Sequence, residues 1–313
     1  MKKEPIFPFK TDLADESHEY SDVRGGEPEG IKRTEKKIGD IRVTELCITS
    51  KRGEKLCGKP TGRYVTAELS DTVFYGAPLF EAHCETLSRL FASFLDPILE
   101  KKDGCVLLAG LGNPAILADS VGAETVRNFI VTRHIKRSSP HLYESFGFRE
   151  TAAVVPDVFG NTGIEAAETL RGVVDSLRPD CIIAVDALSS RRLSRLSSAV
   201  QICDTGVCPG SGVGNRRMEI SEETLGVPVI AVGVPTVVNA SSLLNDSLML
   251  CGVLPDRLSE ETKRELREQI GDDCYVAPKD CGSGIAHIAR MIGYALNAAL
   301  HKNIAISEMP DFL

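Results

Sequence analysis

Continuous apolar runs in the second part of the chain constrain the fold most strongly. From residue 105 onward, the 313-residue sequence alternates these runs with glycine-containing loops and helix-like segments. Such runs are typical of strands buried on both faces, as in a parallel sheet covered by helices. The strands are predicted at Cys105–Ala109, Cys181–Val185, Ala199–Cys203 and Pro228–Val232. The sequence therefore predicts an α/β fold with a mostly parallel sheet sandwiched by helices.

The N-terminal part has a different pattern. Residues 41–48 and 64–69 alternate apolar and polar side chains, which predicts an antiparallel pair of half-buried strands. We therefore expect a small N-terminal antiparallel β extension, with peripheral strands at about 38–75. Residues 1 to about 30 are polar and broken by glycine and proline, which predicts a mobile or peripheral arm. Helices are predicted near 120–131, 163–177, 259–270 and 284–300.

Charge and cysteine usage narrow the class of protein. The chain has 36 basic and 44 acidic residues and no long basic block, so direct binding to nucleic acid is not expected. Its apolar runs are shorter than the roughly 20 residues that cross a bilayer, so no membrane association is expected. The ten cysteines are scattered without a C-x-x-C motif, which favours free thiols in a reducing cytoplasm over disulfides or a zinc site.

Three loops follow predicted strands with unusual residues. They cover residues 110–119, 186–190 and 204–215. Because sites in open α/β sheets form beyond the carboxyl ends of the strands, Asp119 and Asp186 are candidate functional residues. Taken singly, Asp119 could cap a helix and Asp186 could be a buried carboxylate bound to loop N–H groups. As a pair they could share a proton and act as general acid and general base.

Other chemistries have weaker patterns. Gly110 and Gly112 lack the third glycine of a dinucleotide loop, and Ser189, Ser190 and Ser211 lack a G-x-S-x-G elbow. The glycine-rich loop lacks the lysine of a P-loop, but it could admit a bound extended chain. That possible substrate-binding loop comprises Gly210, Ser211, Gly212, Gly214 and Asn215. A metal site built from Asp119, Asp186 and His134 is chemically possible, although no metal-binding spacing supports it.

Several motifs, in order, resemble those of the bacterial spore germination proteases, peptidase family A25. They include residues 108–113, 119–122, 131–134, 162–165, 184–188, 204–206, 209–215 and 233–236, and the resemblance covers nearly the whole chain. It implies a fold like that of hydrogenase-maturation endopeptidases, and an endopeptidase of the spore core that degrades small acid-soluble spore proteins during germination. It also implies a homotetramer, synthesis as a self-processing zymogen, and no cofactor or metal. The catalytic aspartates of the family correspond to Asp119 and Asp186.

The same resemblance gives a meaning to the segment Thr11-Asp-Leu-Ala-Asp-Glu16. It is similar to the acidic-then-apolar sites that the family cuts in its substrates. We therefore predict a propeptide at residues 1–12, cleavage between Asp12 and Leu13, and a single α/β peptidase domain at 13–313. The substrate is expected to bind as an extended strand across the carboxyl edge of the sheet.

One departure and two rival hypotheses remain at this point. Around its first aspartate the family usually has Thr-Pro-Asp-Ala-Leu-Gly-Pro, whereas residues 117–123 here read Leu-Ala-Asp-Ser-Val-Gly-Ala. The first rival is a metal-dependent maturation-type endopeptidase on the same fold. The second is a non-catalytic module whose glycine loops hold a peptide or a nucleotide.

Overall fold

The computed structural model describes residues 7, 10–22, 29–69, 77–99, 104–210, 217–253, 258–271 and 273–313. The strands in these residues are β1 (Ile31–Ile38), β2 (Ile41–Ile48), β3 (Gly62–Glu68), β4 (Cys105–Gly110), β5 (Glu150–Val154), β6 (Cys181–Ser190), β7 (Ala199–Cys203), β8 (Val229–Asn239) and β9 (Tyr275–Val276). The α-helices are α1 (Ala14–Asp22), α2 (Lys51–Cys57), α3 (Ala77–Leu95), α4 (Val121–Arg127), α5 (Arg133–Ser138), α6 (Pro140–Ser145), α7 (Phe159–Thr162), α8 (Ala166–Leu177), α9 (Glu222–Leu225), α10 (Ala240–Leu250), α11 (Glu260–Ile270) and α12 (Cys281–Leu300). Short 3-10 helices cover Leu117–Asp119, Leu193–Arg195 and Ile306–Phe312.

The strands form one mixed sheet in the order β1-β2-β3-β7-β8-β6-β4-β5, with β9 beside β8. The pairs β8·β6, β6·β4 and β4·β5 are parallel. The pairs β1·β2, β2·β3, β3·β7 and β7·β8 are antiparallel. The α/β class is therefore confirmed, but a mostly parallel sheet is not. In particular Ala199–Cys203, predicted among the parallel strands, runs antiparallel to both of its neighbours.

Helices cover both faces of the sheet because alternate strand residues point to opposite sides. On one face, α3 and α12 pack against odd-numbered residues of β6 and even-numbered residues of β7 and β8. On the other face, α8 packs against Leu107, Ala109, Ile182 and Ala184. The central strands are buried from both sides, which explains their continuous apolar sequences.

The predicted helices are confirmed, with ends that differ by a few residues. The N-cap of the helix α8 is Glu165, whose N–H donates to the Glu168 side chain over 3.0 Å, and the helix buries Leu170 and Val174. No described helix is long and apolar enough to cross a membrane.

Candidate active site

A cavity of about 550 Å³ opens beyond the carboxyl ends of β4 and β6. Asp119 and Asp186 both line it, so the structure brings together the two carboxylates selected from the sequence. Part of its lining is apolar and solvent-exposed, through Ile116, Phe159 and Met218. The cavity can therefore receive a chain that has both polar backbone and apolar side chains.

The loop after β4 holds Asp119 in a fixed orientation. Asp119 ends a 3-10 helix, and Ser120, not Asp119, is the N-cap of α4. The N–H of Asn113 donates to Asp119 Oδ2 over 2.7 Å. A Cβ atom at Gly112, where φ is +91°, would lie 2.2 Å from the Asp119 carbonyl oxygen, so only glycine permits this close approach. Residues 117–119 thus form a 3-10 turn although they contain no proline.

Asp186 lies within β6 and faces the cavity, on the sheet face opposite to α3 and α12. Its side chain is buried, and burial raises its pKa to about 8, with further increases from the charges of Asp119 and Asp12. A hydrogen bond from the Ala187 backbone acts in the opposite direction. Burial also raises the pKa of Asp119, against the hydrogen bond from Asn113. Both carboxyl groups are therefore easier to protonate than an ordinary aspartate.

The N-terminal segment of the chain occupies this site. Asp12 lines the cavity, its N–H donates to the Ser189 carbonyl over 2.8 Å, and the Ser189 N–H donates to Asp12 Oδ2 over 2.9 Å. On the far side of the predicted scissile bond, the Ala14 N–H donates to Gln201 Oε1 over 2.7 Å. The structure thus places Asp12, which precedes the predicted scissile bond, in the same cavity as Asp119 and Asp186.

The segment before this bond is also docked, in part against α10. The Asn245 side chain donates to the Phe7 carbonyl over 2.8 Å, and the Lys10 N–H donates to the Ser242 hydroxyl over 3.1 Å. Phe7 is buried, as are Asp12 to Glu16. The prediction of a mobile or peripheral arm is therefore wrong for these residues, because their apolar and acidic side chains find partners on the main body of the fold.

The residues that follow the predicted scissile bond are helical, whereas a substrate was expected to bind as an extended strand. The helix α1 begins at Ala14, and the Ser17 N–H already donates to the Leu13 carbonyl. Thr11 Oγ1 accepts from the Leu13 N–H and donates to Glu16, which ties the turn before the helix. The chain therefore passes the carboxylate pair as the start of a helix and not as a continuous strand.

Two acidic residues of α1 are buried against one arginine. Arg195 Nη2 lies 2.7 Å from Asp15 Oδ2, and Arg195 Nη1 lies 3.5 Å from Glu16 Oε1. Glu16 also accepts from the Ser190 hydroxyl and from the Arg191 N–H. The sequence patterns did not select Arg195 or Gln201. In the sequence, each of them is only a polar residue in or beside an apolar strand. Their importance can be recognised only when the strand register shows which residues they face.

Other sequence candidates fall in different places. His134 is exposed in α5 and is not among the described residues that line the cavity. Ser189 and Ser190 contact the N-terminal segment through the bonds described above. Of the predicted substrate-binding loop, Gly210 lines the cavity, whereas Ser211, Gly212, Gly214 and Asn215 lie outside the described residues. Among the described residues, no group of three or more histidine, cysteine, aspartate or glutamate side chains could hold a metal ion.

The fold and the site favour a peptidase class, because a peptide segment enters a cavity that holds two protonatable carboxyl groups. Comparisons with known proteins agree with this class. The sequence model of the germination protease family, Peptidase_A25, matches residues 10–251. The chain belongs to this family and is an endopeptidase, a hydrolase of spore germination.

Similar proteins extend the match to nearly full length. The germination protease of Clostridium tetani is 36% identical, over 97% of this chain and 99% of its own. That of Caldanaerobacter subterraneus is 39% identical, over 98% and 99%. That of Bacillus licheniformis is 34% identical, over 96% and 95%. The family resemblance seen in the sequence motifs is thus confirmed.

Proposed function

We propose that the protein is an atypical aspartic endopeptidase whose Asp119 and Asp186 cleave its own Asp12–Leu13 bond. The single observation that supports this most directly is the docking of Asp12 beside the two carboxyl groups. Residues 1–12 are then a propeptide, and the remaining chain, 13–313, is one α/β peptidase domain. The structure corresponds to the zymogen in this proposal, because the segment to be removed occupies the site.

The different surroundings of the two aspartates suggest their roles. Asp186 is buried with a pKa of about 8, so it holds a proton at neutral pH and acts as the general acid. Asp119 is half-buried and accepts an N–H from Asn113, which stabilises its ionised form and suits a general base.

Hydrolysis then proceeds by addition of water to the Asp12 carbonyl carbon. Asp119 takes a proton from the water as the new C–O bond forms. Asp186 gives its proton to the Leu13 nitrogen as the C–N bond breaks. The products are a carboxylic acid at Asp12 and a new amino terminus at Leu13, and proton transfer through solvent restores the pair.

The docked segment also describes the substrate in this proposal. Other substrates are proteins with an acidic residue before the cut, an apolar residue after it, and acidic residues three and four positions after it. Arg195 and the Arg191 N–H would then receive the two later acidic groups. The small acid-soluble proteins of the spore core are the proposed substrates, and a homotetramer in the spore core is the proposed working form.

Mass spectrometry of the N-terminus tests the proposal. On incubation, the wild-type chain is expected to lose residues 1–12 and start at Leu13. Asp119→Asn and Asp186→Asn are each expected to slow this step by about 10²–10⁴-fold, because each removes a group that transfers a proton. Asp175→Asn, on the exposed face of α8, is the matched control and should process normally.

Two further results would redirect the proposal. An aspartate variant that trims at the wild-type rate removes that residue from the mechanism. A wild-type rate that falls in chelator and recovers with added metal ion favours the metal-dependent rival, whereas full activity in chelator contradicts it. An intact N-terminus under all conditions, with no cleavage of spore proteins, favours the binding module.

A further inference from the structure

The side chain of Gln201 in β7 contacts the backbone on both sides of the Asp12–Leu13 bond. Its Nε2 donates to the Asp12 carbonyl oxygen over 3.4 Å, and its Oε1 accepts from the Ala14 N–H over 2.7 Å. The Asp12 carbonyl belongs to the proposed scissile bond, so Gln201 touches an atom that would change charge in the reaction. Gln201 itself is only 7% exposed.

The orientation of this amide follows from the groups that face it. The Ala14 N–H can only donate, so the nearer amide atom of Gln201 must be the oxygen. The nitrogen is then necessarily the atom that faces the Asp12 carbonyl, which can only accept. The two backbone groups therefore hold the Gln201 side chain in one orientation, with its N–H donor directed at the Asp12 carbonyl oxygen.

Strand register places Gln201 level with Asp186. Gln201 pairs with Gly233 across β7 and β8, and Gly233 pairs with Asp186 across β8 and β6. Directly paired residues point to the same face of a sheet, and strands lie about 4.8 Å apart, so the Cα atoms of Gln201 and Asp186 are roughly 10 Å apart. The residue between them is glycine, and the side chain of Leu188 fills the space that a Cβ atom at Gly233 would need, with Leu188 Cδ1 only 2.2 Å from that position.

The burial pattern agrees with this arrangement. Val200 and Ile202 point into the core under α3 and α12, so Gln201 points to the opposite face, where Asp12 docks. A buried amide in an otherwise apolar strand costs free energy unless its polar atoms are bonded. Here both of its polar atoms are used by the segment that the site holds.

We propose that Gln201 is a catalytic residue that stabilises the oxyanion formed on the Asp12 carbonyl. This inference rests on the proposed function. When water adds to the carbonyl carbon, that carbon becomes tetrahedral and the oxygen gains negative charge. The contact between Gln201 Nε2 and the Asp12 carbonyl oxygen is 3.4 Å before the reaction, and it is expected to shorten as this charge develops. It then stabilises the transition state more than it stabilises the bound segment before reaction. Loss of one such donor elsewhere typically lowers the rate by about 10²–10³-fold.

Gln201→Glu separates this role from simple positioning. Glutamate keeps an acceptor for the Ala14 N–H but has no N–H donor for the Asp12 carbonyl. We expect self-cleavage at Asp12–Leu13 to slow by about 10²-fold at alkaline pH, while segment 10–22 stays protected from hydrogen exchange. The rate relative to wild type should rise as pH falls, because a protonated glutamate regains a donor. Thr66 pairs with Gln201 across β3 and β7, and Thr66→Val is the control. This variant should process within about threefold of the wild-type rate.

Each outcome decides between distinct conclusions. A Gln201→Glu chain that processes at the wild-type rate at every pH overturns the proposal. So does a slow Gln201→Glu chain whose segment 10–22 has lost its protection, because Gln201 then only positions the chain. Asp186→Asn is measured in parallel. If Asp186→Asn processes normally, the proposed function fails irrespective of Gln201, and if it is inactive while Gln201→Glu is normal, only the role of Gln201 fails.

Discussion

Two acidic clusters meet the same N-terminal segment only a few residues apart, and they differ in what faces them. The cavity cluster consists of Asp12, Asp119 and Asp186. The anchor cluster consists of Asp15, Glu16, Glu68 and Arg195. In the cavity cluster, burial raises the pKa of Asp186 to about 8, and the charges of Asp119 and Asp12 raise it further. In the anchor cluster, one buried guanidinium contacts all three carboxylates.

The comparison shows how one residue type serves two purposes. Carboxyl groups that crowd together without an opposing charge hold protons, which is useful for acid–base chemistry. Carboxylates that meet a buried arginine remain fixed in place by charge-assisted hydrogen bonds. The anchor cluster therefore positions the segment, and in our proposal the cavity cluster cuts it.

The largest effect on stability is expected from loss of the anchor arginine. Arg195→Met leaves Asp15 and Glu16 buried without their cation, which should lower the free energy of opening segment 10–22 by about 3–5 kcal/mol. Hydrogen exchange of the α1 amides measures this opening. The measurement is made in an Asp186→Asn background, so that the segment stays attached.

Arg192→Met, at the N-cap of the 3-10 helix that contains Arg195, provides the matched control. Arg192 pairs with Glu19 of α1, but both side chains are partly exposed to solvent. Exposed pairs contribute about 0–1 kcal/mol, so this variant should open almost as rarely as its parent. Equal effects of Arg195→Met and Arg192→Met would contradict the distinction between a buried anchor and a surface ion pair.

The second prediction concerns the pH dependence of stability. Between the ordinary aspartate pKa of 3.8 and the folded value of about 8, the folded chain holds a proton on Asp186 that the unfolded chain has released. The stability from this group is therefore complete below the lower value and is lost as pH rises through this window. The slope is at most about 1.4 kcal/mol per pH unit.

Urea unfolding at a series of pH values measures this slope. The Asp186→Asn chain lacks the titrating group, so its stability should fall less steeply from about pH 5 to pH 8. The reference chain is Asp119→Asn, in which Asp186 is intact and still titrates. Self-cleavage is expected to be blocked in both chains, so neither loses the N-terminal segment during the measurement. Parallel curves for the two variants would contradict the strongly raised pKa of Asp186.

The smallest expected effect tests the charge of the segment itself. Asp12→Asn removes one of the two carboxylates that raise the pKa of Asp186, so that pKa should move downward. The carboxyl titration of Asp186, followed by infrared or NMR spectroscopy, measures the change. Asp175→Asn makes the same change in net charge on the exposed face of α8 and should leave the titration in place. A pKa that stays constant in Asp12→Asn would show that the charge of Asp12 does not raise it, and would leave burial and Asp119 as the causes.

Much of the candidate site could be read from local sequence. Asp119 follows the apolar strand β4, and Asp186 comes directly after the apolar first half of β6, positions that neighbouring parallel strands bring to the same cavity. Arg195 and Gln201 could not be found in this way, because their partners are roughly 180 residues away in the chain. The roles of all four residues in catalysis or recognition remain predictions.

The sequence by itself determined the α/β class, the apolar strands, the helices and the acidic-then-apolar segment, since each depends on patterns within a short window. Tertiary structure alone decided that the sheet is mixed, because strand direction depends on long connections and not on strand composition. It also decided that the chain turns into a helix at Ala14 and docks between two acidic clusters. Burial and charge there depend on residues that only the fold brings together.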